Sequence, residues 1–149
     1  MEVKELGHLV LYVRNVERSA AFYRDVLGWQ QLPLGAGGPV AAFSSGRTHH
    51  ELLLIQVGED AQPIPPGRRI GMYHFGLKIG DSDDDLREAL KRLESAGVAV
   101  VGASDHTVTH SLYILDPDGN EIELYADMPG VDWKRDPALV AAPIRPMKL

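Results

Sequence analysis

The sequence contains no cysteine, which excludes disulfide bonds, thiolate nucleophiles and cysteine-based zinc sites. It also lacks any apolar run close to the roughly 20 residues that a transmembrane helix needs. The first residues mix both charge signs and show neither the apolar stretch nor the cleavage site of a secretory signal. We therefore expect a cytoplasmic location, no membrane partner, and a metal site, if there is one, built from His, Asp, Glu or Tyr.

Basic residues are in the minority and are scattered along the chain. The 15 Lys and Arg against 21 Asp and Glu give a net charge of −6. Because affinity for nucleic acid depends on clustered positive charge, this distribution argues against a nucleic-acid partner. Hydrophobic residues (44%) and charged residues (24%) are balanced as in a soluble globular protein, so we expect one domain over residues 1–149.

The first part of the chain has the pattern of a β-α-β-β-β unit at about residues 5–58. Asn15 is a good helix N-cap, and Gly28 stands where a helix would end in the left-handed conformation. The glycine-rich segment 35–38 has no following helix and no Lys-Ser/Thr pair, so it predicts a hairpin and not a phosphate site. The predicted elements are a strand at 6–13, a helix at 16–27, and strands near 29–34, 39–44 and 49–57.

A Pro-rich connector at 62–69 separates this unit from a second one with the same order, at about residues 70–127. The acidic run 81–85 lacks the glycine and final glutamate of a calcium loop, so it is interpreted as a helix cap. The Pro-dotted tail 128–149 is expected to wrap the domain or a partner subunit. The second unit's predicted elements are a strand at 71–79, a helix ending at Gly97, and strands near 98–102, 108–115 and 121–125.

The repeat gives each unit a histidine near the start of its first strand, His8 and His74. If the two α+β units form one curved mixed sheet around a cleft, these imidazoles can reach one point. Side chains alternate along a strand, so Glu123 can face the same way as the two histidines. Positions equidistant from the turn at Asp118 pair across a hairpin, which sets Tyr113 roughly opposite Glu123.

His8, His74 and Glu123 are therefore the candidate metal ligands. Two neutral imidazoles and one carboxylate leave coordination positions open, which is the arrangement of non-heme Fe(II) enzymes that bind substrate and O2 on one ion. The same donors suit Zn, Mn, Ni or Co.

The chain resembles the vicinal oxygen chelate superfamily over about residues 5–127, and within it most resembles the type I extradiol catechol dioxygenases. The paired histidines of Thr48-His49-His50 are similar to a pair that opens a strand in those enzymes. The remaining motif runs from a histidine through Leu-Tyr and Asp-Pro-x-Gly to a glutamate, here His106, Leu112, Tyr113, Asp116, Pro117, Gly119 and Glu123.

This resemblance implies an Fe(II)-dependent dioxygenase that opens the ring of a small aromatic diol with O2, acting as a homodimer. It makes His8, His74 and Glu123 the iron ligands and His50 the acid/base. It makes Tyr113 and His106 catalytic groups that either support the metal ligands or contact the substrate, although His110 lies near His106 in the sequence.

Two alternatives remain open. In the glyoxalase branch a glutamate in the strand near 49–57 is a fourth ligand, which would assign that role to Glu51 and favour a metal-dependent lyase or isomerase. On a regular strand His50 and Glu51 point to opposite faces, so only one can enter the cleft. A binding protein of the bleomycin-resistance type is the other alternative, but such proteins generally lack the ligand triad.

Overall fold

A computed structural model of the chain describes residues 1–34 and 37–149. The chain forms two compact units, Met1–Ile64 and Pro65–Leu149, which divide within the Pro-rich connector. Gly35 and Ala36, half of the predicted glycine-rich hairpin, lie outside the described residues. Among the residues described, no helix is both long and apolar enough to cross a membrane.

Unit 1 is a three-stranded sheet with one helix, as far as its described residues show. The central strand pairs in parallel with the first strand and antiparallel with the second, so the sheet order is β1-β3-β2. Its elements are β1 (Leu9–Val13), α1 (Val16–Ala21), a π-helical turn (Phe22–Val26), β2 (Val40–Phe43) and β3 (Leu52–Gln56).

The first helix begins and ends at the residues that the sequence indicates. The Asn15 side chain accepts a hydrogen bond of 2.9 Å from the backbone N–H of Arg18, which satisfies one of the free donors of the first turn. Gly28 has a φ of +76°, a conformation that glycine adopts at little cost. The predicted helix 16–27 is therefore confirmed, except that its second half is a π-helical turn that buries Phe22 and Tyr23.

Three predicted strand boundaries in unit 1 are wrong. The strand expected at 29–34 is reduced to one bridge, between Gln31 and Phe43, because Pro33 has no N–H to donate to a ladder. The first strand starts at Leu9 and the last at Leu52, because their parallel pairing begins there. His8 therefore lies just before β1, and residues 49 and 50 lie just before β3.

Unit 2 is a five-stranded sheet with one α-helix, in the order β4-β7-β6-β5-β8. Its first and last long strands pair in parallel, as do the first and last strands of unit 1. The elements are β4 (His74–Gly80), α2 (Asp83–Ser95), β5 (Val100–Asp105), β6 (Thr109–Leu115), β7 (Glu121–Asp127), a 3-10 turn (Pro137–Ala141) and β8 (Arg145–Pro146). The predicted α+β class is confirmed.

The acidic run 81–85 forms the N-terminal cap and the first turn of α2. Asp85, in the first turn, accepts hydrogen bonds from the backbone N–H of Asp81 at 3.0 Å and from the Ser82 hydroxyl at 2.7 Å. The Asp85 carboxylate thus ties the two residues before α2 to its first turn, and negative charge is also favourable at a helix N-terminus. Leu86 and Leu93 are buried on the face of α2 that packs against the sheet.

The C-terminal tail returns to the sheet of its own unit. Its β8 pairs antiparallel with the end of β5, where Pro146 stands opposite Ser104 and Arg145 opposite Asp105. The end of the tail thus extends the sheet of unit 2.

Alternation along β7 separates the core of unit 2 from its open face. Ile122, Leu124 and Ala126 are buried, whereas Glu121 and Glu123 are partly exposed on the other side. The hydrophobic core thus fixes which way the acidic side chains point.

Truncation of a core residue on β7 tests this packing. Replacement of Ile122, which is fully buried, by alanine should lower the free energy of unfolding by about 2–5 kcal/mol through lost burial and a residual cavity. Denaturant unfolding measures the change, and Leu115→Ala, on an exposed position of the neighbouring strand, is the matched control. Equal losses for the two variants would contradict this assignment of the core.

Candidate metal and catalytic centre

Strand register brings four predicted site residues of unit 2 to one region. Tyr113 on β6 pairs directly with Glu123 on β7, which confirms the pairing expected from the turn. On the other side of β7, His74 pairs in parallel with Glu121, two positions before Glu123 and on the same face. The loop after β5 adds His106, whose Nε2 lies 3.5 Å from Glu123 Oε1.

The Glu123 carboxylate has one oxygen held by hydroxyl groups and the other directed at an imidazole. Oε1 accepts a hydrogen bond of 2.7 Å from Ser111 Oγ and one of 3.1 Å from the Tyr113 hydroxyl. Oε2 lies 3.2 Å from His74 Nε2. The carboxylate is therefore fixed in orientation and presents one oxygen beside a second good metal donor.

Gly76 allows the Tyr125 ring and the Glu123 carboxylate to lie close to β4. A Cβ at residue 76 would lie 3.3 Å from the Tyr125 ring and 3.7 Å from Glu123 Oε2. A side chain at this position would therefore press against the Tyr125 ring and crowd the carboxylate.

Tyr113 links the carboxylate to His106. The His106 Nε2 and the Tyr113 hydroxyl are 2.8 Å apart, which is a hydrogen-bonding distance. Burial, followed by the negative charge of Glu123, raises the pKa of Tyr113 to about 12. The phenol therefore stays protonated at neutral pH and can act as a hydrogen-bond donor.

His110 belongs to a different environment, which separates it from His106. Its Nδ1 lies 2.6 Å from Asp83 Oδ1 at the start of α2, and its Nε2 lies 3.5 Å from Asp105. It therefore joins β6 to the helix, on the face opposite Tyr113. Of the two histidines, only His106 contacts Tyr113 among the contacts of the described residues.

Unit 1 brings its three histidines together. The His50 ring lies 4.5 Å from the His8 ring and 4.4 Å from the His49 ring, measured between centroids. The two Nδ1 atoms of His49 and His50 are 2.6 Å apart. Burial, and then positive charge on the two neighbouring imidazoles, lowers the pKa of His50, which favours its neutral form.

Glu51 is engaged in the turn that precedes it. Its carboxylate accepts hydrogen bonds from the backbone N–H of Ser45 at 2.6 Å and from the Ser45 hydroxyl at 3.0 Å, and Arg47 lies 3.6 Å away. Burial alone would raise the pKa of Glu51, but these hydrogen bonds outweigh it and lower the pKa. The Glu51 carboxylate is thus hydrogen-bonded within the turn, whereas the His50 ring lies beside the His8 ring.

The internal repeat also argues against Glu51 as a ligand. In unit 2 the residue two positions after His74 pairs with Glu123. In unit 1 the residue two positions after His8 pairs with Leu53. Leu53, and not Glu51, therefore occupies the position equivalent to Glu123, so unit 1 presents an apolar side chain where unit 2 presents a carboxylate.

The donors of unit 2 fit part of a metal site. His74 and Glu123 supply an imidazole nitrogen and a carboxylate oxygen side by side on one open face. Within residues 1–34 and 37–149, no group of three or more His, Cys, Asp or Glu side chains is arranged to hold a metal ion. His8 belongs to the other unit, so the complete triad stays a prediction.

Two polar residues beside the predicted ligands were missed by the sequence interpretation. Ser111 is fully buried and donates to Glu123, and Glu121 lies next to His74. Both could have been recognised from the sequence. Ser111 stands two positions before Tyr113, and Glu121 stands two positions before Glu123, so each shares a strand face with a predicted site residue.

A family model for the Glyoxalase/Bleomycin resistance protein/Dioxygenase superfamily matches residues 5–124. The chain belongs to this superfamily. Its structure also resembles a lactoylglutathione lyase from Agrobacterium tumefaciens, with a TM-score of 0.63 and 27% sequence identity, covering 85% of this chain and 96% of that chain.

Curated relatives in the superfamily carry different activities. This chain is 37% identical over 135 residues to a catechol-2,3-dioxygenase of Bacillus subtilis (strain 168), covering 91% of this chain but 46% of that protein. It is 30% identical over 135 residues to a lactoylglutathione lyase of Neisseria meningitidis serogroup A, covering 85% of this chain and 94% of the lyase. The chain thus spans about half the length of the dioxygenase and nearly all of the lyase.

Proposed function

We propose that this chain acts as an Fe(II)-dependent extradiol dioxygenase on a catecholic substrate, with His8, His74 and Glu123 as metal ligands. The observation that carries the proposal is the hydrogen-bonded series of His106, Tyr113 and Glu123 beside His74. These are the residues of the extradiol motif, and the similarity to a catechol-2,3-dioxygenase supports the same activity.

Iron(II), when bound, would supply the site at which a diol and O2 react and the ring opens next to the two hydroxyls. Tyr113 and His106 would orient the substrate oxygens. The Tyr113 phenol suits this task because it keeps its proton at neutral pH, as tyrosine ordinarily does, and can donate it in a hydrogen bond. Ser111, which is buried, would hold the Glu123 carboxylate without contacting the substrate.

His50 would accept a proton from a catechol hydroxyl and return it later in the reaction. A neutral imidazole is required for the first step, and the environment of His50 lowers its pKa and favours that form. Its ring adjoins His8, the proposed ligand from unit 1.

The test is ring cleavage by the full-length chain loaded with Fe(II) without oxygen. Addition of a catechol and then O2 should give a yellow ring-cleavage product, with O2 consumed in equal amount. Iron content is measured on the same sample, and a Glu88→Ala variant, altered on the exposed face of α2, is the control. Bound iron without any product, over a series of mono- and bicyclic catechols, would refute the proposal.

A metal-dependent lyase or isomerase is the second candidate, favoured by the match along 94% of a lactoylglutathione lyase. The engagement of Glu51 with Ser45, and Leu53 at the position equivalent to Glu123, weigh against a fourth carboxylate ligand. S-lactoylglutathione formation with Ni, Co or Zn, but no catechol cleavage with Fe(II), would favour this candidate. Neither activity in the metal-loaded chain would favour a binding protein.

A further inference from the structure

Each of the two ring nitrogens of His74 faces a different carboxylate. Nε2 lies 3.2 Å from Glu123 Oε2, toward the open face where a metal would bind. Nδ1 lies on the other side of the ring, 3.6 Å from Glu121 Oε1. The strand register explains this arrangement, because Glu121 is the residue paired with His74 across the parallel ladder.

The Nδ1 atom of His74 is buried and has no hydrogen-bond partner among the described residues. A buried polar atom without a partner is costly, so the nearest acceptor is expected to satisfy it. The Glu121 carboxylate, with Oε1 3.6 Å from Nδ1, stands just beyond hydrogen-bonding distance.

Glu121 is also held toward His74 from its other side. The Tyr73 ring lies 4.6 Å from the His74 ring, measured between centroids. The negative charge of Glu121, together with a hydrogen bond from the Tyr73 hydroxyl, raises the pKa of Tyr73. The carboxylate therefore lies close to both the Tyr73 phenol and the His74 imidazole.

We infer that Glu121 is a positioning residue that accepts the Nδ1–H hydrogen bond of His74 and thereby directs His74 Nε2 to the metal. Histidines that bind metals commonly donate their second ring N–H to a carboxylate, which fixes the tautomer and the ring orientation. This inference rests on the proposed function only for the identity of His74 as a ligand.

The repeat shows that this arrangement is confined to unit 2. Glu51 stands at the position of unit 1 that corresponds to Glu121, but its carboxylate is bound to Ser45. Parallel pairing alone therefore does not bring such a carboxylate to a histidine. In unit 1 the Glu51 carboxylate binds the turn at Ser45, whereas in unit 2 the Glu121 carboxylate lies beside His74.

The experiment measures Zn(II) affinity and the Nδ1–H signal of His74 in the full-length chain. In wild-type protein loaded with Zn(II), the Nδ1–H resonance should be shifted downfield and slow to exchange. Glu121→Ala should weaken Zn(II) binding by about 10–100-fold and speed the exchange of this proton. Glu121→Gln, whose amide oxygen can still accept a hydrogen bond, should fall between wild type and Glu121→Ala in both measurements.

Glu88→Gln removes one negative charge from exposed α2 and should change neither measurement. Equal losses in Glu121→Gln and Glu121→Ala would show a charge effect only and overturn the inference, as would unchanged affinity in both. If Glu123→Ala and His74→Ala also bind Zn(II) normally, the metal site itself fails. If those two lose affinity while Glu121→Ala does not, only the positioning role fails.

Discussion

Replacement of Glu123 by alanine is expected to abolish ring cleavage and to lower the affinity for Fe(II) by more than about 100-fold, since even supporting residues of metal sites contribute 10–100-fold. The carboxylate is the only anionic donor in the proposed triad. Its loss also removes the acceptor of the Ser111 hydroxyl and one of the two hydrogen-bond partners of the Tyr113 hydroxyl, the other being His106. Metal analysis of protein purified without oxygen, followed by the catechol assay, measures both effects.

Glu51→Ala separates the two enzyme hypotheses in the same experiment. An iron dioxygenase with ligands His8, His74 and Glu123 should keep its metal in this variant, because Glu51 binds the turn at Ser45. A four-ligand lyase that uses Glu51 should lose affinity. Because the turn itself is altered, metal content is referred to the folded fraction measured by circular dichroism. Normal iron content in Glu123→Ala would remove the proposed triad.

Much of the fold could be predicted from local chemistry. The Asn15 cap, the positive φ of Gly28 and the acidic start of α2 each depend on neighbours within a few residues, so the sequence carries them directly. The Tyr113–Glu123 pair was predictable for a similar reason, since a tight turn fixes the register of the two strands that it joins.

The sequence predictions fail where strand bounds or side-chain partners depend on residues outside the local segment. The first strand was predicted to begin at Leu6, but β1 starts only at Leu9, where its pairing with β3 begins. The orientation of Glu51 depends on Ser45, and the distinction between His106 and His110 depends on Asp83 of α2. Alternation along a strand predicts which face of the sheet a side chain lies on. It does not predict which residue that side chain will bind.

His50→Gln is expected to lower kcat/KM for ring cleavage by about 10²–10⁴-fold, the usual contribution of a general acid or base. Glutamine keeps similar size and hydrogen-bonding capacity but cannot take up a proton at neutral pH. Because the His50 ring adjoins His8, iron content must be measured for each variant, and the comparison made per bound iron.

His49→Gln is the matched control, since it lies one position away and its ring is 6.0 Å from that of His8, against 4.5 Å for His50. It removes the 2.6 Å contact between the two Nδ1 atoms but leaves His50 able to accept a proton. A loss of activity below about tenfold is therefore expected, far less than the range for a general base. A larger loss in His49→Gln than in His50→Gln would transfer the acid/base role to His49, whereas full activity in both would place proton transfer elsewhere in the site.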